Sequence, residues 1–408
     1  MLRRFRAYLA NRFSLPDRVA ELEDRRPFAQ IATPSIWWST FGMFVLRLPS
    51  LHALEMDLKH RGNSWIRGRK PSADTIDYSL SRFEIEPLRD LSRDVIRQSW
   101  RRKAIHLRPG EPLRVMAIDG HELWASRART WPSASVRRIT TKSGEVCENY
   151  QRMVVAQWVG VTPPPIADLE LTNPGEGETV TARRVLDRVL DEFPNLVDVV
   201  TLDALYLEGP FLRRIHDAGK YFVAVMKQED RDLYKEAAAL RPDIAPIEIR
   251  DGNRVSQIWD MPGLTSFPTL GIPVRVVWCV ERTTVTKMVA GTKQTVEEVK
   301  TWIWVTNAPT TIAPTRIQQW GHDRWDLENR GFNELTQHWN MDHCFTHDTT
   351  ATEVILRTLA LAFFTTYLFY ERNLKPAAKK NLNRAGLARL FAQVLCAHPE
   401  PAFVPDTG

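Results

Sequence analysis

Two short apolar runs, each closed by an aspartate, limit what this chain can fold into. Leu113-Arg-Val-Met-Ala-Ile-Asp119-Gly120 is the first, and Leu196-Val-Asp-Val-Val-Thr-Leu-Asp203 is the second. Both are short, β-prone and bounded by turn residues, so both read as strands. Further apolar runs at 152–160, 165–171 and 220–226, with helical stretches at 180–193 and 209–218, complete the pattern. The order is three strands, helix, strand, helix, strand. Short links allow the first three strands to pair antiparallel, whereas a helix between the third and fourth implies a crossover to a parallel neighbour. With the first and fourth strands as parallel neighbours, Asp119 and Asp203 emerge at one carboxyl edge, where open mixed sheets place their chemistry.

A third acid stands apart, on a helix-like stretch, His322-Asp-Arg-Trp-Asp-Leu-Glu328-Asn-Arg-Gly-Phe332. At about 100° per residue, Trp325, Phe332, Leu335 and Trp339 share a face, and Glu328 falls inside that stripe. Asp323, Asp326 and Glu334 fall outside it. A carboxylate facing a core is costly unless paired or metal-bound. Arg324, four residues earlier, is one candidate partner, which makes a structural ion pair the plain alternative to a functional role. Two strand-end aspartates and a helical glutamate are what a two-metal phosphodiester-cleaving site requires. Hard divalent ions take oxygen ligands, and paired ions clamp the attacking and leaving oxygens of an in-line displacement.

The surrounding chain divides by character. Residues 1–110 read as helical, with a helix start at Pro71-Ser-Ala-Asp-Thr75 followed by Ile76, Leu80, Phe83, Leu88 and Leu91 at roughly helical spacing. Basic residues gather at Arg61 to Lys70 and at Arg97, Arg101, Arg102 and Lys103, either a solvated face or a DNA-contacting one. Residues 229–306 read as strand-rich, with runs at 247–249, 255–259, 274–280 and 302–305 between Asp-Gly and Pro-Gly turns. Trp259, Trp278, Trp302 and Trp304 in this stretch suggest sheet faces packed on something. Residues 320–375 are helical again, and the tail carries Lys375, Lys379, Lys380 and Arg384.

Composition narrows the function classes. The 408 residues suffice for two or three domains. A net charge of +6 favours an anionic partner only mildly. Cys147, Cys279, Cys344 and Cys396 are far apart and form no Cys-x-x-Cys pair, which argues against a zinc knuckle or a disulfide scaffold. The spacing of His338, His343 and His347 is compatible with zinc, but there is no nearby Cys pair and no clear helical zinc motif. The basic N-terminus is not followed by an apolar signal core, and the runs Ile36–Leu46 and Leu359–Tyr370 are too short to span a bilayer. The expectation is a cytoplasmic protein with no membrane partner.

Three segments then carry a resemblance: Ala117-Ile-Asp119-Gly120, Thr201-Leu-Asp203-Ala-Leu-Tyr206, and Arg324-Trp-Asp-Leu-Glu328-Asn-Arg-Gly-Phe332-Asn333. Together they resemble the DDE transposases of bacterial insertion sequences, in the branch whose RNase H-like core is interrupted by a β-rich insertion. The similarity covers roughly residues 40 to 375. It implies an α/β fold, an RNase H-like mixed sheet flanked by helices, with a β-rich insertion and an N-terminal helical region. The implied divisions are 1–110 (helical, DNA-contacting), 111–228 (first part of the core), 229–306 (insertion), 307–375 (second part, with Glu328) and 376–408 (basic tail).

The resemblance makes Asp119, Asp203 and Glu328 the catalytic residues and the ligands of two Mg²⁺ ions, with Mn²⁺ as a substitute. It implies cut-and-paste transposition on double-stranded DNA, with terminal inverted repeats and target DNA as partners, a homodimer on DNA, and a prokaryotic, nucleoid-associated location. Arg324, Arg101, Arg102, Lys103, Tyr206 and Lys227 are the candidate DNA contacts. The family's helix motif, Tyr-x2-Arg-x3-Glu-x6-Lys, is kept only in part: Gly321 stands at the Tyr position and Leu335 at the Lys position. The end-contact roles of those two residues therefore do not carry over, and a hairpin intermediate is left open. The rival readings are a catalytically inactive or domesticated DNA-binding protein, and a sugar hydrolase using two of the carboxylates.

Overall fold

The computed structural model describes residues 1–61, 69–142, 144–289 and 292–397. The chain begins in helices α1 (Leu2–Phe13), α2 (Leu15–Ala20), α3 (Thr33–Val45), α4 (Leu51–Arg61), α5 (Ala73–Leu80) and α6 (Ile85–Arg101). Strands follow: β1 (His106–Leu107), β2 (Val115–Ser126), β3 (Ser135–Thr141), β4 (Gly144–Val159), β5 (Val161–Thr162) and β6 (Ile166–Leu171). The order then alternates through α7 (Glu178–Glu192), β7 (Val199–Leu202), α8 (Gly209–Asp217), β8 (Tyr221–Val225) and α9 (Asp232–Leu240). Next come β9 (Ile247–Asp251), β10 (Arg254–Leu264), β11 (Val274–Val289) and β12 (Thr292–Thr306). Helices close the chain: α10 (Pro314–Asp326), a π-helical turn Leu327–Phe332, α11 (Asn333–Trp339), α12 (Thr349–Asn373), α13 (Pro376–Asn381) and α14 (Arg384–Ala397). The protein is mixed α/β, with a large mixed sheet flanked by helices.

Two compact units make up the fold, Met1–Pro109 with Gly120–Glu192 and Glu328–Gly408, and Gly110–Asp119 with Phe193–Leu327. In the second unit the strands run in the order β2, β7, β8, β12, β11, β10, β9. β2, β7 and β8 are parallel and the others antiparallel. Val115, Met116, Ala117 and Ile118 are all buried, as a parallel strand covered on both faces requires. The β-rich stretch joins this sheet through β12, where Trp304 pairs with Val225 and Thr306 with Val223. It also contains the helix α9, absent from the strand-rich sequence reading, which packs on β10. Helix α10 lies against β7, β8, β10, β11 and β12.

In the first unit, β4 pairs its early residues with β3 and its later ones with β6, both antiparallel. Helix α7 covers β4 and β6. The core helix is α12, packed on α3, α5, α6 and β6. It is long and apolar enough to cross a membrane by length and composition, yet 83% of its apolar window is buried inside the protein. Its Arg357 is buried too, and donates through Nη1 to Asp168 Oδ1 of β6 at 2.9 Å. Arg188 of α7 reaches the other oxygen of the same carboxylate at 2.6 Å, so one acid ties two helices to the sheet.

The expected helix start at Pro71 is present. Ser72 caps α5, its hydroxyl accepting the Thr75 N–H at 3.2 Å. The apolar periodicity from Ile76 to Leu91 nevertheless belongs to two helices. Phe83 forms a β-bridge with Asp24, and that extended pairing breaks the helical path between α5 and α6.

Candidate active site

The two aspartates follow directly on the parallel strand pairing that the strand order implied. Val115 pairs with Val199, and the parallel register runs through to Ile118 with Leu202. Asp119 and Asp203 are the next residues, on strands about 4.8 Å apart. They differ in backbone. Asp203 leaves β7 into a 3-10 turn, Ala204–Tyr206, its carbonyl accepting the Tyr206 N–H at 3.1 Å. Asp119, read from the sequence as a strand end, sits mid-strand, because β2 continues to Ser126. The apolar run stops at Ile118 while the extended backbone does not, since hydrogen bonding can carry a strand on through polar residues.

A basic side chain answers each carboxylate. Lys227, two residues beyond β8, places Nζ 2.9 Å from Asp203 Oδ1 and 3.3 Å from Oδ2. Arg324, near the end of α10 and only 6% exposed, donates through Nη1 to Asp119 Oδ2 at 2.5 Å. Burial pushes the Asp203 carboxyl up, but the Lys227 hydrogen bond and the charges of Arg324 and Lys227 outweigh it and hold the group below the usual carboxylate range. Two anions thus stand against two cations at one sheet edge.

Packing of α10 on the sheet sets where Arg324 points. Trp302 and Trp304, alternate residues of β12, stack 6.2 Å apart on the helix-facing side. His322 meets both rings edge-on and Trp325 meets Trp302 at 4.9 Å, so the alternating tryptophans do pack a sheet face. His322 Nε2 and Gln318 Nε2 both lie 2.7 Å from Glu281 Oε1 of β11. Gly321 is forced by the same packing, because a Cβ there would meet the Trp304 indole at 2.1 Å. A tyrosine side chain has no room at this position.

Glu328 lies half-buried on the π-helical turn Leu327–Phe332, in the first unit. That turn overturns part of the helical-face reckoning. A π turn closes i→i+5 bonds and admits an extra residue, so 100° per residue fails across it. Asp323, assigned outside the core stripe, is buried at 4% and accepts a hydrogen bond from Gln319 at 3.0 Å. Trp325, assigned inside it, is only half-buried.

The remaining candidates separate. Arg101, Arg102 and Lys103 are exposed at the carboxyl end of α6, where Arg102 also donates to the Arg12 carbonyl. The second basic cluster, Arg61 to Lys70, lies mostly outside the described residues. Tyr206 is corrected: it is fully buried, its ring 5.5 Å from Phe211, and presents no face to DNA. A buried aromatic just after a strand serves the core. Sequence reasoning missed His121, which stacks on Phe332 with centroids 4.4 Å apart. Carrying the two-residue alternation on from Asp119 would have placed it on the same strand face.

The donor set of the aspartate pair fits a hard divalent cation. It is all oxygen, and Mg²⁺ is commonly held by one or two carboxylates with water and phosphate oxygens completing its shell. Among the described residues no three His, Cys, Asp or Glu side chains gather into a metal-holding group. No known protein family matches the chain, and no curated protein matches it.

Proposed function

We propose that the protein is a DNA transposase, built on an RNase H-like core, that cuts the ends of its element and joins them to target DNA. The observation that supports the reading best is the register-matched pair. Asp119 follows Ile118 and Asp203 follows Leu202 on parallel strands, with Arg324 and Lys227 set against their carboxylates. In this reading Asp119 and Asp203 would hold Mg²⁺, or Mn²⁺ in its place. By its Arg-x3-Glu motif alone, Glu328 would be the third carboxylate that a two-ion site requires. When bound, such ions would supply Lewis acidity to a phosphoryl oxygen and lower the pKa of a water or 3′-hydroxyl nucleophile.

The chain's own residues orient the DNA. Once divalent charge satisfies the aspartates, the Arg324 guanidinium and the Lys227 ammonium are available to phosphate oxygens at the same edge. Arginine offers a planar fork for two of those oxygens, lysine a point charge. Arg101, Arg102 and Lys103 add backbone contacts that make binding sensitive to salt. Two ends must be joined, so two copies of the chain act together on DNA.

The test incubates the protein with DNA flanking its own gene, with and without Mg²⁺, beside Asp119→Ala, Asp203→Ala and Glu328→Ala. End cleavage is expected only with metal. Each substitution should abolish it about as fully as all three together, while end binding survives. Full cleavage after chelation would refute the metal mechanism, and wild-type rates in any variant would remove that residue from the site. A second reading, an inactive DNA-binding protein, is favoured by the same ion pairs, since each aspartate already has a protein cation. It predicts DNA binding that is retained with no affinity for Mn²⁺.

A further inference from the structure

Beyond Asp119, β2 continues to Ser126, and His121 lies two residues on, on the same strand face. Its ring stacks on Phe332, with centroids 4.4 Å apart and planes 24° apart. Phe332, 4% exposed, ends the π-helical turn that carries Glu328 four residues earlier. His121 Nε2 is buried and meets no hydrogen-bond partner among the described residues, so ring contact is the interaction this side of the imidazole makes.

A π turn is an uncommon arrangement, and one residue more or fewer in it rotates the helical segments on its two sides relative to each other by about 100°. The direction of Glu328 therefore depends on what keeps the turn from relaxing to an ordinary α-helix. Within the first unit, the His121–Phe332 stack joins the far end of the turn to a neighbouring strand. Stacked aromatic pairs contribute beyond their buried area and have a preferred geometry.

We propose that His121 is a positioning residue for Glu328, fixing the π turn through its stack on Phe332. The proposal rests on the reading that Glu328 is a ligand of the divalent ion. A histidine that only filled space would affect melting and leave ion binding at Glu328 unchanged.

The test measures Mn²⁺ binding to the full-length protein, by electron paramagnetic resonance or calorimetry, with no DNA present. Compared are wild type, His121→Ala, His121→Phe, Phe332→Leu, Glu328→Ala, Asp203→Ala and the double variant His121→Ala/Glu328→Ala. His121→Ala and Phe332→Leu should each weaken Mn²⁺ binding about tenfold or more, the usual effect of losing a group that orients a ligand. His121→Phe keeps a ring on Phe332 and should restore most of the loss. In the Glu328→Ala background, His121→Ala should change nothing further. Wild-type affinity in folded Phe332→Leu or His121→Ala overturns the proposal, as does an undiminished loss in the Glu328→Ala background. Where His121→Ala fails to fold, Phe332→Leu and His121→Phe decide. If Asp203→Ala and Glu328→Ala both bind Mn²⁺ like wild type, the reading of the site itself fails, and this inference with it.

Discussion

Replacing Gly321 by alanine is expected to destabilise the protein, although alanine is the better helix former. The added Cβ would meet the Trp304 indole at 2.1 Å from Nε1, 2.3 Å from Cε2 and 2.7 Å from Cδ1. Non-bonded carbons rest about 3.5–4.0 Å apart, so ring or helix must move by more than about 1 Å. The ring has nowhere to go. It is fully buried, stacked on Trp302 and met edge-on by His322 at 5.2 Å. Overpacking of this kind costs about 1–3 kcal/mol, and a rigid obstacle puts this case at the upper end. Helix propensity returns about 1 kcal/mol. The balance is a loss of about 2 kcal/mol, or about 2 °C in Tm for a chain of this length. Thermal melting by circular dichroism and urea unfolding by tryptophan emission both read it. A Gly321→Ala protein as stable as wild type, or more so, would refute the reasoning, because propensity alone would then govern the site.

Arg324→Ala should cost about 3 kcal/mol by removing the cation of a largely buried ion pair with Asp119. Ca²⁺ should recover part of that loss by neutralising the carboxylate, so an equal loss with and without Ca²⁺ in urea titrations would argue against ion binding there. Asp168→Asn should cost about 3–5 kcal/mol, because Arg357 and Arg188 lose their shared anion. Burial pushes the Asp168 carboxyl up, but Arg357, Arg188 and Arg89 outweigh it and hold it below its ordinary value. A depressed folded-state pKa means the unfolded chain binds the proton first. The stabilisation is therefore complete above about pH 4 and fades as pH falls through the lower, folded value. The pH dependence of unfolding should accordingly be shallower in acid for Asp168→Asn than for wild type, and unchanged slopes would contradict this assignment.

The legible part of the site was the part written in contiguous residues. The apolar runs ending at Ile118 and Leu202 mark strands, and the helices between later strands imply parallel neighbours. The observed register of Ile118 with Leu202 follows that logic. The cap at Ser72 and the packed face of Trp302 and Trp304 were likewise readable, because capping and alternation act over two to four residues.

What tertiary structure decided was which residue meets which across the chain. Nothing near Tyr206 in sequence says that Phe211 will bury it, and nothing near Gly321 announces the indole of Trp304. Lys227 was read as a possible DNA contact, but its pairing with Asp203 depends on β7 and β8 lying side by side. The helical wheel misplaced Asp323 because a wheel assumes one period, and the π turn after Asp326 breaks it. Local pattern sets which backbone hydrogen bonds form, and so by itself the sequence determined most strands and helices and the parallel pairing that the two aspartates follow. Side-chain contacts between distant segments are chosen by the packing of the whole sheet against its helices. Only that packing placed Arg324 on Asp119 and His121 on Phe332.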